Sequence, residues 1–135
     1  MQTSNENEMV DRQAVEGLLG ELYAARLAGH LDALCGLFAA DARFRMSGTS
    51  SGQPIAIAAE GIAEIRPWLA VLVKTFKLAN HQVLSRVIDG AESAVHWRAD
   101  IHSRITGTVV ATDVVDWIKI RGARIAFYRE LIVPC

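Results

Sequence analysis

The chain has only two cysteines and three prolines in 135 residues, and aromatic side chains make up 7% of it. Cys35 falls inside an amphipathic stretch and Cys135 is the last residue. Neither a disulfide framework nor a thiolate metal site is suggested, and Cys35 reads as a small buried hydrophobe. Charge of one sign is also missing. Fourteen basic residues face fifteen acidic ones, for a formal net charge of -1. Such a balance carries no electrostatic footprint for nucleic acid or an anionic membrane, so neither is expected as a partner. No apolar run approaches the roughly 20 residues of a membrane-spanning helix. The first eight residues, Met1 to Glu8, are polar and acidic. They read as a disordered tail rather than a secretory signal, and a cytoplasmic protein is expected. His96 and His102 are too widely spaced along one strand to share a zinc ion, and His81 stands alone. No metal site is expected.

What is present is an apolar excess. The hydrophobic fraction is 51% and the mean hydropathy +0.21, which favours an enclosed apolar pocket, an apolar oligomer interface, or both. Val15, Leu18, Leu19 and Leu22 recur at helical spacing and predict a helix from about Met9 to Leu27, closed by Gly29. A short second helix carries Leu31, Leu34, Cys35 and Phe38 on one face, with Asp32 suited to its positive end. Ala42 to Met46 reads as a strand, and 47–54 as a Gly/Ser-rich mobile rim. A third helix is expected over roughly Ile62–Phe76; Pro67 is comfortable only in a first turn, so the helix either starts near Arg66 or breaks there after a short leading turn. Four strands follow, Leu78–Val87, Ser93–Ile105, Val109–Ile120 and Arg124–Val133, separated by Asp89-Gly90, Thr106-Gly107 and Arg121-Gly122 turns. Helices segregated to one face of a curved antiparallel sheet make an α+β fold, here as one domain over 9–135.

The strand at 93–105 has two unlike faces. Val95, Trp97, Ala99 and Ile101 share one, while His96, Arg98, Asp100, His102 and Arg104 share the other. If the polar face lines a cavity, Arg98 and Asp100 form an acid/base constellation; if it meets bulk water, they are a solvated sheet face. Asp113 interrupts the apolar run from Val109 to Val115, and an unpaired carboxylate in a half-buried strand is costly. It either meets Arg98 or Arg104 or faces the cavity. Asp116 has the opposite parity to Trp117 and reads as a surface residue.

Gly29-His30-Leu31-Asp32-Ala33-Leu34, then Leu37 to Phe44, and at the other end Asp116 to Ile125 with Tyr128-Arg129-Glu130, resemble the SnoaL-like branch of the nuclear transport factor 2-like superfamily. The resemblance implies a cone-shaped sheet around a helix-capped pocket, often dimerised through the outer sheet face, with no cofactor. It places Val95, Trp97, Ala99 and Ile101 at a homodimer interface. Polyketide cyclases, ketosteroid isomerases, limonene-1,2-epoxide hydrolases and non-catalytic binding domains share the fold, so fold alone does not settle activity. The hydrolases are the nearest catalytic parallel. Arg98-Ala99-Asp100 is similar to their Arg-x-Asp element, and Glu130 stands where a second aspartate is expected. By that analogy Asp100 is the acid, Glu130 the base and Arg98 the bridge. Phe44 and Met46 replace the residues that hold water in the hydrolases, and Met46 lies near the place of the isomerase base. Phe44, Met46, Trp68, Asp113 and Tyr128 are the expected pocket residues. The expected function is a cofactor-independent lyase, isomerase or hydrolase acting on a small apolar molecule. A non-catalytic module binding a ligand or partner is the alternative, and a structural ion pair across neighbouring strands is the other reading of Arg98, Asp100 and Glu130.

Overall fold

A computed structural model describes residues 11–50 and 52–135; the expected N-terminal tail lies outside them. Two helices open the fold, α1 (Arg12–Ala28) and α2 (Leu31–Gly36), followed by strands β1 (Phe38–Ser50) and β2 (Gln53–Glu60). Helix α3 (Ile62–Thr75) then leads into β3 (Phe76–Asp89), β4 (Glu92–Ser103), β5 (Val109–Arg121) and β6 (Arg124–Pro134). The strands form one six-stranded sheet in the order β2-β1-β6-β5-β4-β3. Helices first and a curved sheet after is the expected α+β class. Among the described residues no helix is long and apolar enough to cross a membrane.

Helix α1 is specified by its ends and its stripe. Asp11 caps the start by accepting from the Gln13 amide at 2.9 Å, and Gly29 takes the left-handed conformation (φ 70°) that ends it. Val15, Leu18, Leu19, Leu22, Tyr23, Ala25 and Arg26 are the buried face. The apolar stripe therefore runs into a charged residue in the last turn, and that residue is buried with it.

Three features differ from the sequence-based expectation. The 47–54 segment is not a loop: β1 extends through Ser50, β2 begins at Gln53, and the two pair from Arg43↔Glu60 to Ser50↔Gln53. Alternation of Ile55, Ile57 and Ala59 is a strand period, hidden because the segment is short, rich in alanine and preceded by Gly, Ser and Pro. Secondly, the sheet is mixed, since β1 runs parallel to β6 with Phe44 opposite Tyr128 and Met46 opposite Glu130. Gly48 lets these strands approach closely: a Cβ there would lie 2.1 Å from the Ile132 carbonyl oxygen, at a φ of 133°. Thirdly, Pro67 sits in the second turn of α3, not the first.

The sheet curls so that its concave face meets the helices. Trp97, Phe44, Tyr128, Ile118 and Ile125 from the strands pack with Leu19, Leu22, Leu34, Ile65 and Leu69 from the helices. Trp97 is fully buried and Val95 and Ala99 nearly so. The expected assignment of the β4 faces is thereby reversed. The apolar face points inward beneath α1, and the polar face is the outer one. Val95, Trp97 and Ala99 have no surface left to offer a second copy.

Candidate active site

Between α3 and the concave sheet face lies a cavity of about 420 Å³. Its walls are apolar: Met46, Ile55, Ile57, Leu72, Phe76, Leu78, Ile101, Val110, Val114 and Ile132, with Trp68 and Val71 from α3. Hydroxyls of Thr49, Ser50, Ser103, Thr106 and Thr108 add polarity along the strand ends. Among the described residues only two charged side chains line it, Arg26 from α1 and Glu130 from β6.

Those two form a buried ion pair. Arg26 Nη2 donates to Glu130 Oε1 at 3.0 Å, and Nη1 donates to Oε2 in a second close contact. The Tyr128 hydroxyl donates to Oε2 at 2.8 Å and accepts from Arg26 Nη1 at 3.1 Å. The guanidinium carbon also lies 5.1 Å from the centre of the Trp97 ring, a cation–π arrangement. Burial opposes the charge on Glu130, but the neighbouring guanidinium and the donated hydrogen bonds overcome it and hold the carboxyl below its ordinary range. Glu130 is therefore ionised at neutral pH, and Arg26 is held well above its ordinary value.

Asp116, directly opposite Glu130 across the β5–β6 ladder, is also fully buried. Its Oδ2 accepts from the Tyr23 hydroxyl at 2.6 Å and from the Trp97 indole at 2.8 Å. Burial, then the adjacent Glu130 charge, push this carboxyl well above the usual range. Its expected surface position is wrong because the parity of β5 is ambiguous in sequence: Val114 and Ile118 flank it on one face, Val115 and Trp117 on the other. Tertiary packing buries the first set and leaves Trp117 38% exposed.

Of the residues singled out by sequence, the structure does not bring Arg98, Asp100 and Glu130 together. Arg98 is on the outer sheet face, paired with Asp113 through Nε–Oδ1 at 2.7 Å and Nη2–Oδ2 at 3.2 Å. Asp100 accepts from Asn80 Nδ2 at 2.7 Å on that same face. The Arg98 guanidinium keeps the Asp113 carboxyl below its usual range, and Asp113 is thus a partner of Arg98 rather than a cavity residue. Met46 and Trp68 line the cavity. Phe44 and Tyr128 are stacked beneath it, with centroids 5.6 Å apart, as part of the core. Arg98→Gln should consequently leave both stability and the titration of Glu130 nearly unchanged, since an exposed pair contributes little. Urea unfolding and carboxyl NMR check this; a displaced Glu130 titration would contradict the separation of the two faces.

Sequence reasoning missed Arg26, Tyr23 and Asp116. A signal existed for the first two: Tyr23 and Arg26 stand four and seven residues after Leu19 and so continue the buried stripe of α1. Among the described residues no three His, Cys, Asp or Glu side chains are placed to hold a metal ion.

A sequence profile described as the SnoaL-like domain matches residues 19–128. The chain belongs to the SnoaL-like family. No curated protein matches it in sequence. Solved structures agree on the fold. An NTF2-like protein from Burkholderia xenovorans LB400 is similar at a TM-score of 0.75 and 20% identity, over 91% of this chain and 92% of that one. SalBIII, an epoxide hydrolase/cyclase-like enzyme of pyran ring formation in the polyether salinomycin, is similar at 0.73 and 20% identity, over 92% and 94%. An LEH-like epoxide hydrolase from M. tuberculosis is similar at 0.69 and 12% identity, over 89% and 83%. The SnoaL-like cone thus explains the cavity's position: helices cap the concave face of the sheet, and side chains of alternate strand positions converge inside it.

Proposed function

We propose that this SnoaL-like protein is a cofactor-independent enzyme that relocates a proton within a small, neutral, mostly apolar molecule, with Glu130 as the base. The observation that carries this reading is an ionised carboxylate, paired with Arg26, on the wall of a mostly apolar cavity. Glu130 takes a proton from the substrate, and the electron pair left behind moves into a neighbouring carbonyl oxygen. A proton then returns from Glu130 to the same or another atom, either the one removed or one exchanged with solvent while Glu130 holds it, so the product is an isomer or a ring-closed isomer and no co-reactant is needed. While Glu130 is neutral, Arg26 faces the negative charge now on the substrate, and the buried positive charge stays compensated throughout.

Two features narrow the chemistry. A carboxylate held below its ordinary range is a weak base, which suits a proton already acidified by an adjacent carbonyl. Met46, the cavity residue opposite Glu130 on β1, supplies no hydrogen bond to hold a water molecule beside that carboxylate, which favours rearrangement or ring closure over hydrolysis. The same neutralisation of Glu130 by Arg26 also favours the second reading, a binding module without turnover. A homodimer belongs to the proposal too, formed through the outer sheet face where Trp117, Leu131 and Val133 are exposed.

Cyclic 1,3-dicarbonyl and enone compounds that raise the melting temperature should exchange their acidic protons for deuterium in the presence of the protein, as followed by NMR. Glu130→Gln should slow that exchange by at least about 10²-fold while ligands still stabilise the variant. Binding without catalysed exchange would replace the enzyme by the binding module, and equal exchange in the variant would remove Glu130 as the base.

A further inference from the structure

Asp116 and Glu130 are cross-strand partners, both fully excluded from solvent. Two carboxyls and one guanidinium share this interior, and Arg26 gives both Nη atoms to Glu130. The other groups facing Asp116 supply no positive charge. Tyr23 from α1 and Trp97 from β4 donate to Oδ2. Tyr128 from β6 is a neutral phenol, its ionisation opposed by burial and by the Glu130 charge. His81 from β3 stacks on Tyr23 and Trp97 at 5.5 and 5.0 Å, and burial together with Arg26 lowers its proton affinity. The cluster is electrically balanced only when one carboxyl carries a proton.

The contacts identify which one. Glu130 receives the guanidinium fork and the Tyr128 hydroxyl, whereas Asp116 receives only neutral donors. Both of those go to Oδ2, and Oδ1 is buried with no partner among the described residues. A proton on Oδ1 gives that atom a hydrogen to donate, and Glu130, its buried cross-strand neighbour, is the carboxylate beside it.

We propose that Asp116 is the protonated member of this buried pair and a positioning residue for Glu130, to which it donates a hydrogen bond. It rests on the reading of Glu130 as the base, and the role is indirect because Asp116 does not line the cavity. Its acid proton decides which of two adjacent carboxyls is ionised and adds a donor that keeps Glu130 charged. The substrate's proton is therefore delivered to Glu130 alone, and removing the donor makes Glu130 hold a proton more tightly.

The test uses the full chain with carboxyl-¹³C aspartate and glutamate, and needs no substrate. Near neutral pH the Asp116 resonance, identified through its backbone and by its loss in Asp116→Asn, should lie at the position of a protonated acid. An asparagine amide also donates, so Asp116→Asn should leave the Glu130 titration where it is. Asp116→Leu cannot donate and should move that titration upward by about one pH unit or more. A carboxylate-type Asp116 signal overturns the proposal. So does a lower Glu130 titration in Asp116→Asn, which would mean that a negative neighbour had been lost, or no response in Asp116→Leu. Should neither variant fold, the wild-type Asp116 resonance decides alone. A neutral Asp116 alongside unimpaired deuterium exchange in Glu130→Gln would keep the proton assignment and discard the catalytic reading, so the two failures are separable.

Discussion

Replacing Arg26 by methionine should destabilise the fold by about 3–5 kcal/mol near neutral pH, because it strands the Glu130 charge in the interior. The side chain is buried at the end of the α1 stripe, and methionine can occupy much of its apolar stem. What it cannot supply is the pair of donors to Glu130 or the cation over Trp97. Glu130 then becomes a carboxyl whose folded affinity for a proton exceeds its unfolded one. The variant should recover stability as the pH falls and lose it as the pH rises, the reverse of the Glu130 contribution in the wild type. Adding Glu130→Met to Arg26→Met should restore most of the loss, since removing both partners leaves no unpaired buried charge. Urea unfolding of the two single variants and the double variant measures the coupling. A loss below about 1 kcal/mol for Arg26→Met would match an exposed pair and contradict the burial described here.

The second large effect is a pH-dependent gap between the wild type and Asp116→Asn. Burial raises the Asp116 carboxyl above its unfolded value. Its stabilising contribution is therefore complete below the unfolded value and is lost as the pH rises toward the folded one. In that interval folding takes up a proton, and stability falls by about 1.4 kcal/mol per pH unit from this group. Asparagine has no such proton to take up. Asp116→Asn should gain on the wild type as the pH rises from the ordinary carboxylate range toward neutrality, at up to about 1.4 kcal/mol per pH unit. Comparing the two chains matters because other groups tilt the absolute curve. The depressed Glu130 carboxyl contributes above its unfolded value and is lost on acidification through its folded one. His81, whose proton affinity is lowered, also favours the folded state more as the pH rises through its ordinary range. Both remain in Asp116→Asn and cancel in the difference. A pH-independent gap would mean that Asp116 is ionised in the folded protein.

The order of elements and the α+β class are legible because they rest on local patterns: the 3.6-residue stripe of α1, the glycine turns between strands, and the alternation along β4. Even the two faces of β4 were separable residue by residue. Which of them points inward was not. Parity divides a strand into two sets but carries no sign, and the sign depends on where the helices land. An outer face rich in His, Arg and Asp and an inner one of Val, Trp and Ala is the arrangement that burial energetics prefers. The resemblance to cavity enzymes with a polar strand argued for the opposite. In β5 both parities are apolar around Asp116, so local pattern had nothing with which to choose.

Glu130 stands out in sequence by its place near the end of the chain, but its partner does not. Arg26 is 104 residues away, on a helix, and a charged residue in a last turn ordinarily reads as a solvated one that favours the helix dipole. Sequence by itself determined the helices, most of the strands and the greasy interior. Tertiary structure alone decided that Arg26, Glu130, Asp116 and two tyrosines share one buried cluster while Arg98, Asp100 and Asp113 stay outside. The reason is that the charge state of a carboxyl depends on solvent exclusion and on neighbours a few ångströms away, and both are properties of the closed sheet and the helices across it.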